Sequence, residues 1–262
     1  MDLKRTIKAG MGRVAGLTGV FRRGFRSKMI IVAFHRINDA LPADGLTCGS
    51  AKFDAFCRFF KQHFRVVSFR EQVLACRDGV DMGGTLSITF DDGYLDNFDV
   101  AAPILRRHQL PATFFITTEF VNSNRVPSWD HDLPLQPGWM TWDHVRALMQ
   151  QGFDIGCHTA THINMGSSDP QLVQSELLLS KQRLQQELGR SIDLFAYPFG
   201  GPDQISERSL QLVREAGFLS CAACHGGAND AIADPYRLNR IGIAEWYATP
   251  HQFGLELLMG KA

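Results

Sequence analysis

The 262-residue chain has neither a long apolar run nor a surplus of charge. Its longest early apolar stretch, Met29 to Phe34, falls far short of the ~20 residues a membrane-spanning helix needs. It is also too short for the core of a secretory signal. Lys plus Arg and Asp plus Glu both count 27, so the net charge is zero. That balance argues against a dedicated nucleic-acid binder, whose surface must oppose phosphate. With six cysteines the chain is no disulfide scaffold, and the expectation is reduced, buried thiols in a cytoplasmic protein. Internal repeats, low-complexity stretches and linkers are also missing, which predicts one domain. At 45% hydrophobic and 21% charged residues, the composition is globular and excludes a disordered, collagen-like or coiled-coil chain.

Charge is unevenly placed. Residues 1–28 carry Lys4, Arg5, Lys8, Arg13, Arg22, Arg23, Arg26 and Lys28 against Asp2 alone, so this segment is +7 and the remainder −7. Leu3, Ile7, Met11, Val14, Leu17 and Phe21 recur at steps of three or four, one apolar stripe with the basic side chains largely off it. This reads as a basic amphipathic segment, and peripheral contact with an anionic membrane is the functional expectation. Packing on its own domain is the competing one, and Gly10, Gly12, Gly16 and Gly19 weaken any helix there.

From residue 29 onward short apolar runs alternate with helical patterns. The runs are Met29–Phe34, Val66–Phe69, Leu86–Phe90, Ala112–Thr117, Phe153–Cys157, Ile192–Tyr197 and Phe218–Ala223. Each has the length of a buried parallel strand. Helix signals lie between them. Phe53, Phe56, Cys57 and Phe60 form a stripe, and Ser68 stands three before Glu71 in capping-box spacing. Thr141 opens another helix, and Asp169-Pro170 opens a long one that Gly189 ends. Alternation of this kind predicts an α/β fold with a parallel sheet, and seven runs suit closure into a barrel. Asn122 to Trp139 has no pattern and reads as an inserted loop.

Barrel enzymes place their sites at the C-terminal ends of the strands. Those positions here hold His35-Arg36, Asp91-Asp92-Gly93, His158-Thr159-Ala160-Thr161-His162, Pro198-Phe199-Gly200-Gly201 and His225-Gly226-Gly227. His158 and His162, four apart, can face one metal ion. Glu is absent at 159, so the pair is not the arrangement of zinc proteases. A carboxylate from Asp91 or Asp92 would complete a two-histidine, one-carboxylate site. Adjacent carboxylates repel unless a cation lies beside them. With one as ligand, the other is free to take a proton from water. An ordinary Asp-Asp-Gly turn and two polar loop histidines are the structural alternative.

Taken together, Thr89-Phe90-Asp91-Asp92-Gly93, His158-Thr159-Ala160-Thr161-His162 and Tyr197-Pro198-Phe199-Gly200 resemble the polysaccharide deacetylases of carbohydrate esterase family four, with the NodB homology domain. The resemblance spans roughly residues 29 to 245 and implies a single-domain, distorted (β/α)7 barrel. It sets residues 1–28 apart as the basic segment and 29–262 as the deacetylase domain. It further implies a metal-dependent hydrolase that removes an acetyl group from an N-acetylated sugar in a polysaccharide or glycan precursor. Asp92, His158 and His162 would hold one divalent metal, zinc first, with cobalt, nickel or manganese as alternatives. Asp91 would be the general base and the Phe199 backbone N–H an oxyanion donor.

Two features depart from the family. An Arg often precedes the Pro-Phe-Gly segment and orients the base; this chain has Ala196. The late Leu-x-His motif that carries the general acid has no clear match, which leaves His35 and His225. Members with an early aromatic-His-Arg segment resemble Phe34-His35-Arg36, which favours His35. These departures keep a non-catalytic glycan-binding relative as the second reading. A deacylase for an O-acetyl ester or formamide is the third, since substrate choice lives in loops. Partners are expected to be an acetylated sugar and no nucleic acid, with the site at the inner face of the membrane. Cys221-Ala222-Ala223-Cys224-His225 matches the haem-attachment pattern, but a strand of small residues explains it more simply. Trp129, Trp139 and Trp142 could stack on a sugar or pack a core.

Overall fold

The computed structural model describes residues 8, 10–12, 16 and 19–261. In chain order the elements are α1 (Val20–Gly24), β1 (Lys28–Phe34), β2 (Arg36–Ile37), β3 (Thr47–Cys48), α2 (Ser50–His63), β4 (Arg65–Val66), α3 (Phe69–Arg77) and β5 (Thr85–Phe90). A π-helical turn (Asn97–Ala101) leads into α4 (Ala102–His108), then β6 (Thr113–Ile116), α5 (Trp142–Gln150), β7 (Asp154–Cys157) and α6 (Pro170–Leu188). The chain ends with α7 (Glu207–Glu215), β8 (Ala222–Gly226), β9 (Asn229–Asp230), β10 (Leu238–Gly242) and α8 (Pro250–Leu258).

The main sheet runs β7-β6-β5-β1-β10-β8, and every neighbouring pair on that path is parallel. Its two edges meet through single bridges, Phe195 to Cys157 and Ala196 to Ala222. The expected barrel therefore closes, with irregular backbone in place of one regular strand. Interior strands are buried on both faces: β5 is buried at every position and β1 at all but its first. That explains why their sequences read as continuous apolar runs.

Three expected strands shift. Of the second run, Val66–Phe69, only Val66 lies in a strand, β4, which pairs with β5, because the Ser68 side chain accepts from the Glu71 amide and starts α3 at Phe69. Ile192–Tyr197 contributes the bridges alone. The last run forms its strand later, at Ala222–Gly226, after a turn at Gly217. The sheet also contains a strand with no apolar run behind it, β10, whose sequence is Leu-Asn-Arg-Ile-Gly. The helix signals hold. Thr141 caps α5 with a reciprocal bond from His144. The Asp169 side chain accepts from two amides at the start of α6, and Gly189 ends it in a left-handed conformation.

Of the N-terminal apolar stripe, Leu3, Ile7, Val14 and Leu17 lie outside the described residues. Phe21 is buried, packing on Phe25, Phe59 and His63, while Met11 is exposed. Phe25 and Lys28 accept from the Gly84 amide just before β5, so α1 sits at the N-terminal end of the strands. Arg22, Arg23 and Arg26 are exposed there, at the opposite end of the barrel from the histidines and aspartates. Among the described residues no helix is long and apolar enough to cross a membrane. All six cysteines are free.

Gly156 on β7 marks a close approach between strand and core. A Cβ there would stand 2.4 Å from the Phe115 ring. Gly156→Ala is expected to lose about 1–3 kcal/mol through overpacking, read as a lowered midpoint in thermal unfolding; an unchanged midpoint would show that Phe115 can move aside freely.

Candidate active site

The C-terminal ends of β5, β7 and β1 converge. The backbone turns sharply after β5, where Asp92 has φ 73°. The Asp91 amide donates to Phe34 O, and Asp92 O accepts from the Thr117 amide. This turn leaves Asp91 buried and points Asp92 toward the histidines of the loop after β7. That loop has two non-glycine residues in the left-handed region, Thr159 at φ 64° and His162 at φ 62°. Together they bring His162 back over His158, with ring centroids 5.0 Å apart.

The result is a compact trio. The ligand atoms of Asp92, His158 and His162 all lie within 4.8 Å of one another. Asp92 Oδ1 is 3.5 Å from His158 Nε2 and 3.3 Å from His162 Nε2. Two ligand atoms on a tetrahedral ion with bonds of about 2.1 Å stand about 3.4 Å apart. Among the described residues the buried Asp92 Oδ1 has no hydrogen-bond partner, an arrangement that is costly unless something else satisfies it. His158 Nδ1 lies 2.8 Å from Ala196 O. A proton on Nδ1 then leaves the Nε2 lone pair facing the trio. Burial works against charge on Asp92, yet the two imidazoles outweigh it and hold the carboxyl well below its usual range. The donor set and its unsatisfied oxygen fit a divalent cation.

Asp91 is not part of the trio. Its carboxylate takes a two-pronged grip from Arg240, Nη1 to Oδ1 and Nη2 to Oδ2, both at 2.7 Å. The guanidinium is fully buried, and it also donates to Ala223 O and Thr89 Oγ1. Burial alone would raise the Asp91 pKa, but Arg240 and His158 bring it below the usual value. Arg240 lies on β10, the strand without an apolar run. A buried arginine carries no hydrophobic signal, and only its isolation between Leu238 and Ile241 in the sequence hinted at a strand. The orienting arginine missing at Ala196 is thus present from another strand.

A cavity of about 400 Å³ opens over the trio, lined among others by His35, Asp92, His162, Trp129, Phe199 and Trp246. His35 Nε2 is 3.9 Å from Asp91 Oδ2. Burial lowers the His35 pKa despite the nearby Asp92 and Asp91. The alternative acid, His225, is not among the residues that line the cavity, whose wall holds Cys224 instead. Burial pushes the Cys224 thiol up to about 11, so it is a neutral wall group. Phe199 sits at φ 60°, with its ring 4.6 Å from that of His162. Among the described residues its amide has no acceptor. The next residue must be glycine, because a Cβ at Gly200 would lie 2.4 Å from the Cys224 amide nitrogen.

The patternless loop supplies a wall. Trp129 packs 4.6 Å from His162 and donates to Tyr94 OH. Tyr94 OH donates to Asp130 Oδ2, whose other oxygen takes Arg36. Arg36 is fully buried and also donates to Asp44 and Thr47. Asp130 is therefore a brace, while Trp139 stacks on Tyr94 in a small core. Cys157 is the expected core thiol beside the metal loop, raised to about 11 by burial.

The sequence profile of the polysaccharide deacetylases matches residues 79–220, and the chain belongs to that family. The Bacillus subtilis protein YxkH, named as a polysaccharide deacetylase, is 23% identical over 220 residues, covering 83% of this chain and 72% of its own. Among solved structures, the Streptococcus pyogenes deacetylase PplD in complex with acetate superposes with a TM-score of 0.73 at 22% identity, over 86% of this chain and 96% of that one. IcaB from Ammonifex degensii gives 0.71 at 19% identity, over 90% and 98%. At these identities the structural likeness establishes the fold, the NodB-type α/β barrel.

Proposed function

We propose that this protein is a metal-dependent deacetylase that hydrolyses the N-acetyl group of a sugar in a polysaccharide or glycan precursor. The observation that carries the reading is the Asp92–His158–His162 trio, with its unsatisfied buried oxygen, beside an Asp91 clamped by Arg240. The S. pyogenes neighbour, solved with acetate, is consistent with it.

Asp92, His158 and His162 would hold a divalent cation, zinc first, which would polarise the acetyl carbonyl and acidify a water. Asp91 accepts the proton of the attacking water. Arg240 holds both carboxylate oxygens in place and keeps the group ionised, so a lone pair is ready at neutral pH. The Phe199 amide, lacking an acceptor of its own, donates to the tetrahedral oxyanion. The amide C–N bond then breaks, and the departing amine takes a proton. His35 is the group placed to deliver it. Its lowered pKa leaves the imidazole neutral beforehand, so it gains its proton within the cycle from Asp91, 3.9 Å away. Products are acetate and the free amino sugar. Arg240 weighs against a binding-only relative, because it restores the contact that Ala196 had removed.

Elemental analysis of the wild type and His158→Ala tests this reading. About one divalent metal per chain, lost in the variant, is expected, together with acetate release from N-acetylglucosamine oligomers. No metal after incubation with zinc or cobalt would overturn it. Release from O-acetylated or N-formylated sugars instead would keep the chemistry and change the substrate.

A further inference from the structure

Glu176 has no place in the chemistry above, yet it is buried and every acceptor it offers is engaged on the metal loop. It lies on α6, 14 residues after His162 in sequence. Its Oε2 accepts the amides of Ala160 and Thr161 at 2.9 and 2.8 Å. Its Oε1 accepts the Thr161 hydroxyl at 2.8 Å. Among the described residues the carboxylate hydrogen-bonds only to the middle of the His158–His162 segment.

We infer that Glu176 is a positioning residue that sets the metal affinity of this site by holding His162 in place through the loop backbone. The inference rests on the proposed metal site. The two histidines are secured differently. His158 follows β7 directly, its amide donates to Ile116 O, and its Nδ1 is tied to Ala196 O. His162 has no such hydrogen-bond tether: among the described residues its buried Nδ1 has no partner. Its ring is held by packing against Trp129 and Phe199 and by the path of its own backbone. That backbone includes two non-glycine residues in the left-handed region, a strained conformation that persists only when its surroundings hold it. The Thr159 hydroxyl accepts the His162 amide, and the Thr159 and Ala160 carbonyls accept Thr118 and Glu119. Glu176 supplies the acceptors for two of the three amides between the histidines, those of Ala160 and Thr161. Removing them would orphan the buried Ala160 amide and free the partly buried Thr161 amide, and the loop would relax toward ordinary dihedrals, moving His162 away from Asp92 while leaving His158 in place.

The test is metal binding rather than turnover. Cobalt affinity is measured by competition with a chromophoric chelator, and the absorption spectrum of the cobalt-saturated protein reports ligand geometry. Glu176→Gln keeps one carbonyl oxygen for the two amides but turns an NH2 donor toward the Thr161 hydroxyl and removes the charge, so the charge-assisted bonds to the loop weaken. It is expected to weaken cobalt binding about 10- to 100-fold, the range for groups that orient metal ligands, and to change the spectrum at saturation. Thr161→Ala removes one of the three bonds and leaves the carboxylate in place, so a smaller loss in the same direction separates positioning from simple charge removal. Glu187→Gln, on the same helix and paired with Arg146 and Arg183, should bind as the wild type does. An unchanged affinity and spectrum in Glu176→Gln, or a lowered melting temperature alone, would overturn the inference and leave the metal site standing. Failure of the wild type to bind cobalt would overturn both. If Glu176→Gln does not fold, Thr161→Ala decides by the same two readouts.

Discussion

Replacing Arg240 with methionine is expected to destabilise the protein by about 3–5 kcal/mol at neutral pH, because it strands a buried carboxylate. Asp91 and Arg240 are both almost completely buried and share two short bonds. The wild-type Asp91 pKa lies below its unfolded value of 3.8. A depressed folded pKa contributes stability above the unfolded value and loses it as pH falls through the folded one. Without Arg240 the sign reverses. Burial, opposed by less, lifts the carboxyl, so the variant's penalty is full at neutral pH and fades once Asp91 is protonated. Urea unfolding in chelator at pH 7.5 and pH 4 should therefore show the gap between wild type and variant narrowing at the lower pH. A gap of the same size at both would mean that Arg240 stabilises through packing alone. Arg240→Lys should fall between them, since a single ammonium cannot grip both oxygens in one plane. Turnover should fall in both variants, more steeply in Arg240→Met.

The second large effect separates two neighbours. Asp91→Asn should retain about one metal per chain and lose about 10²- to 10⁴-fold in kcat, the range for a general base. Asp92→Asn should lose the metal outright, because Oδ1 is the oxygen both imidazoles face. In Asp91→Asn the amide oxygen can still accept from Arg240, whose bonds to Ala223 O and Thr89 Oγ1 remain, so the variant should fold, with lower stability because the buried guanidinium loses its counter-charge. Elemental analysis paired with acetate release reads both quantities on the same samples. Equal metal loss in the two variants would contradict the division of roles, and full activity in Asp91→Asn would remove the proposed base.

The basic N-terminal segment is of interest for its location. Its described arginines, Arg22, Arg23 and Arg26, are exposed at the end of the barrel opposite the cavity. A surface bound there would face away from the trio, so the substrate reading rests on the cavity alone.

Much of the site was legible because it is locally encoded. Strands buried on both faces must be continuously apolar, so β1, β5, β6 and β7 could be marked by their runs, and the residues that follow them fall at one end of a parallel barrel. The pairs Asp91-Asp92 and His158/His162 lie within single turns, where spacing decides direction. Regions without such periodicity stayed hidden. The strand register after Gly217 could not be read from small residues such as Ala222 and Ala223, which suit strand and loop alike. The loop at 122–139 has no period, and its order comes from Asp130, Tyr94 and Arg36 joined across the fold.

What the sequence by itself determined is the chemistry at hand: an α/β barrel alternation, two histidines and two carboxylates placed after strands, and the family to which those motifs belong. What only the tertiary structure decided is which groups control them. Arg240 meets Asp91 across 149 residues, and Glu176 reaches back to a loop its own helix packs beside. Both are charged groups in buried positions. A hydrophobic pattern cannot announce such residues, because their burial is tolerable only once the partner that neutralises or satisfies them has been brought alongside by the rest of the fold.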